Sequence, residues 1–73
     1  MLAMGKKRRG AALLLEYIES AGGSQALVAA RFGLDAGALS RLVNGHRGPS
    51  LATALVMRDV AGIPVEAWEE EET

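Results

Sequence analysis

The chain contains no cysteine. No disulfide can brace it, and no thiolate can hold zinc. It has one histidine, His46, and neither a glycine-rich phosphate loop nor paired carboxylates set in an apolar stretch. Nothing is left to place in catalytic or metal-ligating roles, so no enzyme, metal site or cofactor is expected. Aromatic side chains number three, Tyr17, Phe32 and Trp68, among 73 residues. Hydrophobic residues make up 49 % of the chain, so its core must be built from Leu, Val, Ile and Ala. That composition suits closely packed helices. No apolar run approaches the roughly 18 residues a membrane helix needs. The Ala11–Leu15 run follows a basic patch, as in a signal peptide, but Glu16 and Glu19 cut it short and cleavage would leave little chain.

What is present is unevenly charged. The formal net charge is −1, yet residues 1–50 hold seven cations against three anions, and residues 51–73 hold one cation against six anions. Such asymmetry suggests a polyanion partner for the basic part. The alternative is two solvated tails of opposite sign.

Gly22-Gly23, Gly33, Gly45, Gly48-Pro49 and Gly62 with Pro64 cut the chain into five pieces. Each piece has helical periodicity. A first helix over residues 7–21 places Leu14, Tyr17, Ile18 and Ala21 on one stripe. Ser24 is the expected N-cap of a second helix, 25–32, with Val28, Ala29 and Phe32 inward. Asp35 caps a third, 36–43, with Leu39 and Leu42 inward, and its charge suits the positive end of the helix dipole. Ser50 caps a fourth, 51–61, with Ala54, Met57 and Ala61 on one face. A short fifth helix, 65–70, follows Pro64 and turns Trp68 inward. The expected architecture is all-α, a compact five-helix bundle. Residues 1–9 read as a basic N-terminal arm, 10–70 as the helical domain and 71–73 as an acidic tail.

Only Gly33, Leu34 and Asp35 join the second and third helices. A glycine in a three-residue turn between two short helices is the arrangement of a helix-turn-helix. In that unit the second helix enters the DNA major groove and the first crosses the backbone. The outer side of helix 36–43 carries Ala36, Gly37, Ser40 and Arg41. Small residues near its start would let it sit deep in the groove. Arg41 would then be the long reader, because a guanidinium matches guanine O6 and N7 as a bidentate pair. Gln25, beside the unsatisfied amides that open the second helix, suits a phosphate. Asn44, His46 and Arg47 would reach phosphates from the loop. Lys6, Lys7, Arg8 and Arg9 form either an arm that follows the DNA backbone or the solvated start of the first helix.

Ser24-Gln25, Ala29-Ala30-Arg31-Phe32-Gly33-Leu34, Leu39-Ser40-Arg41-Leu42, Asn44-Gly45 and Pro49-Ser50, continued by Gly62-Ile63-Pro64-Val65 to Trp68, resemble the lambda-repressor-like helix-turn-helix family. That family includes phage Cro and CI repressors and bacterial xenobiotic-response-element-type regulators. The resemblance spans roughly residues 10–70. It implies a transcriptional repressor, cytoplasmic in a bacterial or phage-infected cell, on a pseudo-palindromic double-stranded DNA operator. It also places the phosphate-contacting Gln on Gln25, the loop Asn on Asn44, and base-reading positions on Ala36, Gly37, Ser40 and Arg41. One recognition helix reads few base pairs, so a homodimer is expected, with Ile63, Val65 and Trp68 as candidate interface residues.

The chain departs from the family pattern in three places. Ala36 and Gly37 stand where longer polar residues are common, which loads specificity onto Arg41 or DNA shape. Arg58 stands where relatives bury Ala, with Glu16 or Glu19 as expected ion-pair partners. Leu27 replaces a usual polar residue. A rival reading is an antitoxin-type interaction domain that grips a toxin and binds its own operator. The chain shows no long segment outside the bundle for such a grip, which favours the stand-alone repressor.

Overall fold

The computed structural model describes residues 8–69. The elements are α1 (Arg9–Ser20), α2 (Gln25–Arg31), α3 (Ala36–Val43), α4 (Leu51–Ala61) and a closing 3₁₀ helix (Val65–Glu69). The architecture is all-helical, with five pieces in the expected order. Arg8 is the N-cap of α1, extended at φ −70° and ψ 152°, with no side-chain cap. Lys6, Lys7 and the acidic tail 71–73 lie outside the described residues. The last piece is 3₁₀ rather than α: five residues after a proline close with i→i+3 bonds, as in the Ala67 N–H to Pro64 C=O bond of 3.0 Å.

Three helices start where short polar side chains catch an orphan amide. Ser24 Oγ accepts from Leu27 N–H at 3.2 Å, Asp35 Oδ1 from Ala38 N–H at 2.6 Å, and Ser50 Oγ from Thr53 N–H at 3.2 Å. Such a cap contributes about 1 kcal/mol. At the end of α2, Gly33 N–H donates to Ala30 C=O and Leu34 N–H to Ala29 C=O, the paired bonds of a Schellman closure. Gly33 makes this possible at φ 73°, a region costly for residues with a Cβ.

The core is aliphatic, as composition requires. Leu14, Val28, Leu39, Met57 and Ile63 are its largest fully buried side chains. Burial of each contributes about 1.5–3 kcal/mol. α1 packs on α3 and on the 3₁₀ helix, α2 packs on α3, and α4 rests chiefly on the 3₁₀ helix. Tyr17 and Phe32 tie α1 to α2, with ring centroids 5.9 Å apart. The Tyr17 hydroxyl accepts from Arg31 Nη1 at 3.0 Å.

Two expectations need correction. Ile63 is 1 % exposed and belongs to the protomer's own core, so it has no surface to offer a second copy. Arg58 does not reach Glu16 or Glu19. Its Nε lies instead 3.2 Å from Asp59 Oδ1, and its side chain is 54 % exposed. Leu27 is likewise exposed. Among the described residues, no helix is long and apolar enough to cross a membrane.

Candidate nucleic-acid interface

α3 divides into two faces. Leu39, Leu42 and Val43 are buried against the bundle. Ala36, Gly37, Arg41 and Asn44 are exposed and Ser40 is half-buried. The 3.6-residue period puts these five on one side. Asn44 Nδ2 donates to Ser40 Oγ at 3.2 Å, so a base-edge candidate and a phosphate candidate hold one another. Gly37 has no structural need to lack a side chain. A Cβ there would meet only Asp35 Oδ1, at an ordinary 3.5 Å.

The loop after α3 is fastened to the helix rather than free. Gly45, at φ 77°, lets its own N–H reach Leu42 C=O at 3.2 Å and lets His46 N–H reach Arg41 C=O at 2.9 Å. This closure carries His46 and Arg47 on from the end of α3, both exposed. Arg41 and Arg47 line one hollow of about 250 Å³ together with Pro49, Ser50 and Thr53. The loop and the first turn of α4 thus join the candidate surface. Ser50 and Thr53 were legible only as a helix start, and Ser50 Oγ lies 3.1 Å from Thr53 Oγ1.

Most of the described arginines have a partner, Arg9 among them. Arg31 is held by Tyr17, Arg58 by Asp59, and Arg8 Nη1 lies 3.4 Å from the Glu69 carbonyl. Arg41 and Arg47 have no hydrogen-bonding or ionic partner among the described residues. An exposed arginine without an internal partner can give all its donors to an anion or a base edge.

Gln25 is the first residue of α2, half-buried, at the end remote from the turn. Of the four basic residues near the N-terminus, Arg8 and Arg9 belong to the start of α1, and Arg8 lines a second hollow with Arg47 and Trp68. Among the described residues, no cluster of His, Asp and Glu is arranged to hold a metal ion.

A short helix, a glycine turn and a second short helix with an outward face of small residues and one arginine define a helix-turn-helix protein. The chain belongs to the lambda-repressor-like helix-turn-helix family, whose model, described as Helix-turn-helix, matches residues 14–68. It is a DNA-binding transcriptional regulator of the Cro/CI type. No curated protein and no solved structure matches the chain significantly.

Proposed function

We propose that this regulator is a repressor that binds a pseudo-palindromic operator as a homodimer, with α3 of each copy in the major groove. Arg41 reads a guanine edge, while Ala36, Gly37 and Ser40 let the helix approach the bases closely. Gln25, Asn44, His46 and Arg47 contact phosphates and fix the register, and Lys6 and Lys7 extend that contact along the backbone. The observation that carries this reading is the exposed Arg41 on the outer face of α3, without a partner among the described residues, near Gly37, whose missing side chain the fold does not require.

The test is selection of bound sequences from random duplex DNA, followed by footprinting and a salt titration. Two half-sites centred about 34 Å apart are expected, as for a dimer with two recognition helices. Log affinity should fall linearly with log salt, with a slope of about −0.9 per neutralised phosphate. Recovery of no sequence preference, or an affinity indifferent to salt, would overturn the proposal.

A further inference from the structure

Arg8, at the start of α1, and Arg47, in the loop after α3, line one hollow of about 320 Å³. Ala11, Leu42 and Trp68 give it apolar walls, and no acidic side chain among the described residues lines it. Its size falls at the small end of the roughly 300–1,000 Å³ of small-molecule sites, which are mostly apolar with a few placed polar groups. Both guanidiniums have donors to give. Arg47 has no partner among the described residues. Arg8 makes one long bond, 3.4 Å to the Glu69 carbonyl, which leaves most of its donors unused. The wall itself holds a further donor. The buried Nε1–H of Trp68 has no acceptor among the described residues, whereas a buried indole N–H ordinarily finds one.

We propose that this hollow binds a free phosphate monoester with a small apolar ester group, and that the bound ligand draws Arg47 away from DNA. Two guanidinium forks match the oxygens and the near-double negative charge that a monoester carries at neutral pH. The walls formed by Ala11, Leu42 and Trp68 take the ester group. A DNA backbone fits less well, because each of its phosphates is a singly charged diester on a polar sugar chain and would leave those walls uncovered. Arg47 is the link to the operator. With Leu42 and Gly48 it also lines the hollow that holds Arg41. A monoester bound between Arg8 and Arg47 competes for that guanidinium and sets negative charge beside the approaching DNA phosphates. This coupling rests on the operator-binding proposal; the ligand site does not.

Trp68 is the chain's one tryptophan, so its emission reports on the hollow without a label. Phenyl phosphate is titrated into the full-length protein without DNA, by emission and by calorimetry, with ionic strength held constant by NaCl. Saturable binding at millimolar concentration or below is expected. Inorganic phosphate, which has no apolar body, should bind about tenfold more weakly. Arg8→Ala and Arg47→Ala should each weaken phenyl phosphate binding about tenfold. Both side chains are exposed, so helical circular dichroism should not change. No saturable binding, or binding indifferent to both variants, would overturn the proposal. The second arm adds duplex DNA. Saturating phenyl phosphate should weaken wild-type duplex binding about tenfold and leave Arg8→Ala almost unaffected. Ligand binding through Arg8 and Arg47 with unchanged duplex affinity would sink the coupling. Weakened duplex binding by Arg8→Ala, in a protein that does not bind phenyl phosphate, would make the hollow a DNA-phosphate contact and end the free-ligand reading. A wild-type protein that binds phenyl phosphate through Arg8 but binds no duplex would keep the site and sink the operator proposal.

Discussion

The indole ring of Trp68 lies against the backbone of Gly10. A Cβ built on Gly10 would come closer than 3.0 Å to three ring atoms, Cδ2, Cε3 and Cε2. This contact fastens the 3₁₀ helix onto the first turn of α1, and with it the support on which α4 rests. Gly10 is buried within the helix, where glycine is otherwise a poor choice. Its presence follows from the ring above it.

Gly10→Ala should therefore destabilise the domain despite better helix propensity. Overpacking costs about 1–3 kcal/mol, against a propensity gain of about 1 kcal/mol. For a domain of this size each kcal/mol lowers Tm by roughly 4–8 °C. In a Trp68→Ala background the obstacle is gone, and Gly10→Ala should become neutral or stabilising. Thermal unfolding of the four proteins in this cycle measures the coupling. Equal effects of Gly10→Ala in both backgrounds would mean that the ring is not the cause.

The turn between α2 and α3 can be tested the other way, because no packing is involved. Gly33 has open space where a Cβ would go, and its only constraint is φ 73°. Gly33→Ala should cost about 1–2 kcal/mol, the price of left-handed backbone for an L residue. Asp35→Ala should cost about 0.5–2 kcal/mol through loss of the bond to Ala38 N–H, and Asp35→Asn should keep most of that stability. Urea unfolding decides both. A Gly33→Ala protein as stable as wild type would show that the turn can rearrange.

The helix starts and stops of this protein were legible because they are local chemistry. Ser24, Asp35 and Ser50 each lie within three residues of the amide they cap. Gly33 and Gly45 close helices through bonds spanning five residues. The facing of α3 followed from Leu39 and Leu42. What failed to show was set by tertiary contact. Gly10 and Trp68 stand at opposite ends of the chain, and neither carries a local sign of the other. α4 carries apolar residues both toward and away from the core, so periodicity could place Met57 inward but gave no warning that Leu51, Leu55, Val56 and Val60 stay uncovered. Ile63 stands between Gly62 and Pro64, in a link too short to have a period, so it read as surface although the core takes it. Which arginines are uncommitted depends on where Tyr17 and Asp59 sit.

Gly37 separates the needs of the fold from those of the partner. In the free protein a Cβ there meets no obstacle. Gly37→Ala should raise stability by about 0.4–1 kcal/mol, through a less flexible unfolded chain. It should nevertheless weaken operator binding if α3 sits deep in the groove, because an added methyl would separate helix from bases. Unfolding and binding measured on the same preparation give the two signs. A variant with greater stability and unchanged affinity would mean that the groove does not approach α3 at this position.

Arg41 and Arg47 line the same hollow, yet their proposed roles differ and can be told apart. In the proposed complex Arg41, on α3 itself, reads a base edge, whereas Arg47, beyond the glycine closure, contacts the DNA backbone. Arg41→Ala should cost about 1–3 kcal/mol on the operator, relax preference at one base pair and leave binding to scrambled duplex almost unchanged. Arg47→Ala should weaken binding to every sequence alike and reduce the salt slope by about one unit. Both side chains are exposed and without a partner among the described residues, so neither change should alter helical circular dichroism. Operator and scrambled duplexes at two salt concentrations, with both variants, complete the comparison. If Arg41→Ala loses equally on both duplexes, Arg41 is a phosphate contact, and specificity must then come from Ser40 or from the energy of deforming the DNA.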